Sequence, residues 1–195
     1  MMRLLLVGAG RMGGAMLKGW LATSAHEIHV LRPRPKDWLS SLESDGAIVA
    51  HDAAKGLAGM SFDAVVLAVK PQMMEEILDD LAPHLGAVDK VISVAAGLKI
   101  DFYRPYFPNA SHVIRAMPNT PSAVGDGATI CVGSQDVSVR KQVHDLLQPW
   151  GMWLGSMMKN RCMALLPYRV LGQLIFFCWL MSWPRKRGVL GFPLT

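Results

Sequence analysis

The sequence is poor in cysteine and has no apolar run of the length that a membrane span requires. Its three cysteines, Cys131, Cys162 and Cys178, are too few for a disulfide framework, which favours a reducing compartment. A mostly apolar stretch over residues 170–183 is interrupted by Gln173, and a membrane helix needs about 20 such residues. The first seven residues lack the features of a secretory leader. We therefore expect a cytoplasmic protein without a membrane partner, in which this stretch is a buried helix rather than a membrane anchor.

Acidic residues are absent after Asp145, and this absence explains the net charge. The chain has 20 Lys and Arg against 15 Asp and Glu, a formal net charge of +5 at pH 7. Residues 1–145 hold all the acids and most of the basic residues, so they are close to neutral and the excess lies in the tail. A nucleic-acid-binding protein presents its basic groups on a folded surface, so this distribution predicts no nucleic-acid partner. With 51% apolar residues, the chain can bury a substantial core.

Short apolar runs alternate with amphipathic segments along the first 150 residues. The runs predicted as strands are 4–7, 26–31, 47–50, 64–69, 91–94, 113–116 and 128–132. The segments predicted as helices are 13–21, 36–44, 73–81 and 136–148. Strands that alternate with helices predict a doubly wound α/β fold, with a mostly parallel sheet covered on both faces.

The first predicted strand runs directly into a glycine-rich turn. Residues Gly8, Ala9, Gly10, Arg11, Met12 and Gly13 match the pattern G-x-G-x-x-G and open the first predicted helix. The first glycine permits the tight turn, the second lets main chain approach a diphosphate, and the third lets the helix pack on the strand. Free N–H groups at the helix start would then bind phosphate oxygens. Such glycines can also be turn and packing residues only, but their place between a strand and a helix predicts a dinucleotide-binding site.

The end of the second predicted strand carries basic residues where an acidic one is expected for NAD. Proteins that bind NAD place Asp or Glu there, about 20 residues after the glycines, for the ribose hydroxyls. This chain has Arg32 and Arg34 instead, and guanidinium groups suit the geometry of a 2′-phosphate. A solvated basic turn is the alternative. The pattern predicts NADP, as NADPH, with NAD as the second choice.

Three further loops follow predicted strands. They contain Ala68, Val69, Lys70 and Pro71; Ala95, Ala96 and Gly97; and Met117, Pro118, Asn119 and Thr120. Ligands of open α/β sheets bind beyond the carboxyl ends of the strands, so loops that converge there favour a site over structural turns. The six histidines show no metal-ligand spacing with the cysteines, and no triad motif is present, so we predict no metal site and name no catalytic residue.

Four motifs, in this order, resemble those of the Δ1-pyrroline-5-carboxylate reductases. They are L-V-G-A-G-R-M-G-G-A from Leu6, A-V-K-P-Q from Ala68, S-V-A-A-G from Ser93 and R-x-M-P-N-T-P-x-x-V-G-x-G-A-T from Arg115. The match ends near Trp153. That family reduces pyrroline-5-carboxylate to proline with NAD(P)H, the last step of proline synthesis.

The resemblance implies a Rossmann-like domain and assigns roles to its loops. It implies cofactor contacts at residues 8–13, 68–71 and 95–97, with residues 117–120 on the substrate side. The implied chemistry is hydride transfer to the carbon of a C=N bond. Since the ring nitrogen can be protonated beforehand, positioning and electrostatics would supply most of the rate effect.

The tail departs from this family. Family members continue into a helical domain that dimerises and binds the substrate carboxylate through S-G-S-G-P-A-Y, and this segment is missing here. If suitable codons are chosen for residues 166–175, translation of those codons in a shifted reading frame yields A-I-S-G-S-G-P-A-Y. Residues 188–193 resemble the family's G-V-x-L-G-L-P. We therefore expect a frameshift near residue 155 that is restored near residue 187; a true variant with a novel tail is the alternative. The expected domains are 1–153, which binds the dinucleotide, and 154–195, a truncated remnant of the helical domain.

The resulting hypothesis is an NADP-dependent pyrroline-5-carboxylate reductase with a small-molecule substrate. The resemblance implies a homo-oligomer, whose dimer surface would lie in the altered tail. Loss of the substrate domain would leave NADPH binding intact and abolish turnover. Two alternatives stay open: a non-catalytic NADP-binding module, and a related reductase of another imine or a small acid.

Overall fold

A computed structural model describes residues 1–23, 26–32, 37–118 and 127–154 of the chain. Within them the strands are β1 Arg3–Val7, β2 Glu27–Leu31, β3 Val49–His51, β4 Phe62–Leu67, β5 Val88–Ser93, β6 His112–Pro118, β7 Gly127–Val132 and β8 Gly151–Leu154. The α-helices are α1 Arg11–Thr23, α2 Asp37–Ser44, α3 Met74–Leu81, α4 Ile100–Tyr103 and α5 Val137–Leu147. Short 3₁₀ turns join several of these elements.

The strands form one sheet in the order β3-β2-β1-β4-β5-β6-β7-β8. Neighbours from β3 to β6 are parallel, β6 and β7 are antiparallel, and β7 and β8 are parallel again. The chain first winds outward from β1 to β3 and then crosses back to place β4 on the other side of β1. This reversal opens a crevice at the carboxyl ends of β1 and β4, where open α/β sheets bind their ligands.

Helices cover both faces of the sheet because side chains of each strand alternate between two cores. In β1, Leu4 and Leu6 belong to one core, and Leu5 and Val7 belong to the other. The first core includes buried residues of α1, α2 and α5, namely Met16, Leu17, Trp20, Leu39, Val139, Val143, Leu146 and Leu147. The second includes residues of α3 and α4, namely Met74, Leu78, Leu81 and Tyr103. The strands are therefore buried on both sides, which explains their nearly continuous apolar sequences.

Trp20 joins the first helix to the last one. Its indole is fully buried, and Nε1 donates a 2.8 Å hydrogen bond to the carbonyl oxygen of Leu146 at the end of α5. The other end of α5 is capped by Asp136, whose carboxylate accepts the amide of Ser138 at 2.8 Å. The hydrogen bond from Trp20 fixes α1 against α5 on one face of the sheet, and hence the direction in which the amino end of α1 points.

The predicted doubly wound, mostly parallel α/β fold is confirmed, and two elements were not foreseen. Helix α4 has four residues, too few to show a helical period, and β8 is a short strand beside the unusual tail. The antiparallel pairing of β7 follows from its short connection: a parallel neighbour would need a crossover of about a dozen residues or more.

In the described part of the chain, no helix has both the length and the apolar character that a bilayer crossing demands. The apolar stretch over residues 170–183 lies outside the described residues. So does nearly all of the expected second domain, and the boundary after residue 153 stays a prediction.

Polar side chains form a row across β1, β2 and β3. Arg3 Nη2 lies 2.7 Å from Oε1 of Glu27, and the same oxygen lies 3.0 Å from Nε2 of the buried His29. His29 Nδ1 is 2.9 Å from Nε2 of His51, and the two rings stack. The hydrogen bond from Arg3, helped by that from His29, lowers the pKa of Glu27 to about 2. Burial, with a smaller contribution from His29, lowers the pKa of His51.

His51 should therefore make the fold less stable in mild acid. As pH falls below 6.5, the unfolded chain protonates His51 more readily than the folded chain does, so folding free energy is lost. Glu27 contributes little in this range because both its ordinary pKa of 4.5 in the unfolded chain and its folded pKa of about 2 lie below it. We expect His51→Gln to reduce the drop in Tm between about pH 7.5 and pH 5.5, measured by thermal denaturation. Part of the drop in Tm should remain in His51→Gln, because burial also lowers the pKa of His26. A drop in Tm as large as that of the parent protein would contradict the role of His51.

Candidate functional site

The carboxyl ends of four strands, β1, β2, β4 and β5, are level with one another, and β6 continues three residues past that level to Pro118. In the sheet register Val7 pairs with Leu31 on one side and Leu67 on the other. Leu67 pairs with Ser93, and Ser93 pairs with Arg115. The loops that follow these strands therefore leave the sheet at one edge, as the sequence predicts.

Gly8 and Gly13 occupy positions that no larger residue fits. Gly8 has a φ of +92°, and a Cβ there would lie 2.6 Å from Cγ1 of Val69. A Cβ on Gly13 would lie 2.0 Å from the carbonyl oxygen of Gly8 and 3.1 Å from Cβ of Ala68. These glycines take the turn and close-packing roles that the sequence pattern predicts.

Gly10 differs because its missing side chain faces open space. It is exposed, and no atom of the described residues lies within 4 Å of the place its Cβ would occupy. Helix α1 begins at the next residue, and the Gly14 amide donates to the carbonyl oxygen of Gly10 at 2.8 Å. The amides of the first helical turn precede this bond and have no acceptor within the helix. Together with the positive end of the helix dipole, they form a surface that attracts anions.

The loop after β4 forms the next wall of the site. Ala68 and Val69 are half-buried against Gly13 and Gly8, and Pro71 begins a 3₁₀ turn. Lys70 is exposed at the sheet edge. Whether it contacts a cofactor, as the resemblance implies for residues 68–71, stays a prediction.

A buried hydroxyl pair joins the end of β5 to the loop that follows it and to α4. Ser93 Oγ accepts the amide of Ala95 at 3.2 Å and lies 2.7 Å from the hydroxyl of Tyr103 in α4. Both side chains are fully buried, and burial raises the pKa of Tyr103, which keeps this hydroxyl neutral. Gly97 turns the loop with a φ of +82°, and Ala96 is exposed beside it. The pair thus anchors the start of the loop over residues 95–97 at Ala95.

The middle of β6 brings an arginine close to this pair, because Arg115 pairs with Ser93 in the sheet register. Nη2 of Arg115 lies 3.6 Å from Sδ of Met117, while its buried Nε has no hydrogen-bond partner in the described ranges. Met117 and Pro118 are half-buried at the end of the strand. Asn119 and Thr120 lie outside the described residues.

Arg32, at the end of β2, is not a solvated turn residue. Its side chain is only 9% exposed, and Nη2 lies 2.7 Å from Oε2 of Glu43 in α2. Nη1 donates to Ser40 Oγ at 3.1 Å, and Nε lies 3.4 Å from Oδ1 of Asp52, without hydrogen-bond geometry. Arg34 lies outside the described residues. Whether Arg32 binds a 2′-phosphate stays a prediction.

The structure thus brings the loops over residues 8–13, 68–71 and 95–97 to one edge with Met117 and Pro118. Sequence reasoning missed Tyr103, Glu43 and Asp52. Glu43 follows Ser40 by three residues, so a helix over 36–44 places both on one face, a signal that was available. Tyr103 and Asp52 carry no comparable local signal.

Comparison with known proteins relates this chain to a group of reductases. Residues 3–97 match a family model described as NADP oxidoreductase, coenzyme F420-dependent. The chain is 34% identical over 126 residues to pyrroline-5-carboxylate reductase of Escherichia coli (strain K12), covering 63% of this chain and 46% of that protein. It is 30% identical over 158 residues to pyrroline-5-carboxylate reductase of Pseudomonas aeruginosa, covering 78% of this chain and 57% of that protein. The chain spans about half the length of the curated relatives it matches.

Solved structures show the same fold. Pyrroline-5-carboxylate reductase from Coxiella burnetii has a TM-score of 0.69 at 23% identity, covering 92% of this chain and 67% of that one. Pyrroline carboxylate reductase of Plasmodium falciparum, crystallised with NADP bound, has a TM-score of 0.64 at 22% identity. The similarity covers 93% of this chain and 67% of that one. These similarities identify a Rossmann-like fold.

Two alanine substitutions in the glycine loop should differ in their effect on stability. Gly10→Ala adds a methyl group where space is open, so we expect a Tm within about 2 °C of the parent protein. The same methyl group would block the approach of a diphosphate and weaken NADPH binding by about tenfold or more. Gly13→Ala places Cβ against the carbonyl oxygen of Gly8, so it should lower the Tm as well. Thermal denaturation and fluorescence titration separate the two; undiminished NADPH binding by Gly10→Ala would refute the assignment.

Proposed function

Because this chain is a relative of the pyrroline-5-carboxylate reductases over about half of their length, we propose that it reduces 1-pyrroline-5-carboxylate to L-proline with NAD(P)H. This reaction is the last step of proline biosynthesis. The observation that carries the proposal is the loop over residues 8–13, in which Gly10 faces open space while Gly8 and Gly13 are closed against the sheet edge. We place the enzyme in the cytoplasm, with NADPH as its cofactor and NADH as the second choice.

The residues at this edge fit a dinucleotide. The main chain at Gly10 can be approached by a diphosphate, and the amides that open α1 would donate hydrogen bonds to its oxygens. The loops over residues 68–71 and 95–97 would line the nucleotide. Their small residues, among them Ala68, Ala95 and Gly97, let a planar ring come close to the main chain.

The chain's own residues contribute position and charge to the reaction. A bound reduced nicotinamide would supply the hydride that reduces the C=N carbon. Ser93 and Tyr103 anchor the start of the loop over residues 95–97 at Ala95, which would help to keep a ring bound there in place. Residues 117–120 would lie on the substrate side, beside the cationic Arg115. Because the substrate nitrogen is protonated before transfer, the reaction needs no strong general base, and we assign no catalytic residue.

The purified full-length chain should bind NADPH and consume it on addition of 1-pyrroline-5-carboxylate, with L-proline as the product. Fluorescence titration measures binding, and NADPH oxidation with analysis of proline measures turnover. NADPH binding without proline formation would favour a non-catalytic nucleotide-binding module. Turnover of another imine or a small acid in place of this substrate would favour a related reductase. If neither NADPH nor NADH binds, the proposal fails entirely.

We propose further that residues 1–153 form the dinucleotide-binding domain and that residues 154–195 are an out-of-frame remnant of a helical substrate domain. Two features of the sequence support this. Acidic residues are absent after Asp145, and a shifted reading of residues 166–175 can yield the family segment S-G-S-G-P-A-Y. A real domain with a charged surface would carry acids as well as bases.

Sequencing of the gene tests this second proposal directly. We expect two compensating frame changes, near codons 155 and 187, whose correction encodes S-G-S-G-P-A-Y. The corrected protein should gain turnover with little change in NADPH affinity, because the nucleotide loops are unaltered. A single uninterrupted frame that encodes the tail as it stands would rule out the frameshift.

A further inference from the structure

The side chain of Arg32 is surrounded by two carboxylates and a hydroxyl. Glu43 Oε2 lies 2.7 Å from Nη2, Asp52 Oδ1 lies 3.4 Å from Nε, and Ser40 Oγ accepts from Nη1 at 3.1 Å. The guanidinium is 9% exposed, whereas Glu43 is 41% exposed and Asp52 is 69% exposed. We call these four residues the Arg32 cluster.

The Arg32 cluster carries more negative than positive charge. It contains one guanidinium and two carboxylates, and in the described ranges neither carboxylate pairs with a second Lys or Arg. The imidazole of His51 is nearby, but burial lowers its pKa and favours its neutral form. A phosphate that approaches Arg32 would therefore meet a group whose charge is already more than balanced.

The cluster lies where the two nicotinamide nucleotides differ. Arg32 directly follows β2, whose last residue pairs with the last residue of β1, ahead of the glycine loop. In the binding mode of this fold, the end of the second strand faces the adenosine ribose, and hence its 2′-hydroxyl or 2′-phosphate. A 2′-phosphate has to share Arg32 with Glu43, and the two anions repel each other. A neutral 2′-hydroxyl incurs no such repulsion and can donate to a carboxylate.

We propose that Glu43 is a specificity-determining residue that lowers affinity for a 2′-phosphorylated nucleotide by occupying Arg32. The proposal rests on the proposed nucleotide site and adds to it the residue that sets the ratio of NADPH to NADH binding. Glu43 has the larger effect of the two carboxylates, because it makes the shorter contact and is less exposed than Asp52.

Glu43→Gln tests this cleanly because it changes charge with little change in shape. The glutamine oxygen can still accept from Nη2, and Ser40 still accepts from Nη1, so Arg32 keeps its position. With one negative charge removed, we expect NADPH to bind about three- to tenfold more tightly, with NADH changed by less than about twofold. Asp52→Asn should act in the same direction with a smaller effect.

The experiment measures Kd for NADPH and for NADH by fluorescence titration of the full-length chain. Glu76→Gln is the matched control: it removes the same charge from an exposed position on α3, outside the Arg32 cluster, and should change neither Kd by more than about twofold. In an Arg32→Ala background, Glu43→Gln should no longer tighten NADPH binding.

Three results would overturn the proposal. The first is unchanged or weaker NADPH binding by Glu43→Gln, the second an equal gain for NADH, and the third a gain that persists in the Arg32→Ala background. If the parent chain binds neither nucleotide, the proposed function fails as well. If the parent binds them but Glu43→Gln leaves their ratio unchanged, the proposed function stands and Glu43 has no role in specificity.

Discussion

The close contact between the main chain at Gly8 and at Gly13 determines the geometry of the whole sheet edge. A Cβ on Gly13 would lie 2.0 Å from the carbonyl oxygen of Gly8, so α1 can begin directly beside the end of β1 only with glycine there. This contact aims the positive end of α1 at the crevice between β1 and β4. The buried Trp20 donates a hydrogen bond to the carbonyl oxygen of Leu146 and so holds the rest of α1 on the sheet. Main-chain geometry, rather than any single charged side chain, thus makes this edge suitable for an anion.

Features with a local signal could be predicted from the sequence. Apolar runs identified the parallel strands, and the spacing of Gly8, Gly10 and Gly13 indicated a strand–turn–helix unit. Features that depend on distant contacts could not be predicted. The hydroxyl of Tyr103 meets Ser93 only after α4 has folded back on β5, and α4 is too short to show a period. The same reason applies to β8, which becomes a strand through its pairing with β7.

Arg32 shows how an interpretation of a charge in a sequence depends on the fold. Its position after the second strand indicates a group that binds phosphate, and the sequence offers no acid within the same turn. The fold supplies two acids from other elements: α2 contributes Glu43, and the segment after β3 contributes Asp52. The presence of an arginine therefore does not measure the charge available to a ligand. That charge depends on which carboxylates share the guanidinium.

In the function that we propose, nucleotide binding and turnover make different demands on this chain. The residues proposed for the nucleotide follow strands β1, β2, β4 and β5, whose register and packing are complete within the described residues. The substrate has to be held next to the nucleotide by further groups, and the curated relatives are about twice the length that this chain matches. In the proposed site, affinity for the nucleotide would therefore depend on the sheet edge. Turnover would depend in addition on groups that hold the substrate, so the tail change that we propose would abolish catalysis while the nucleotide site keeps its shape.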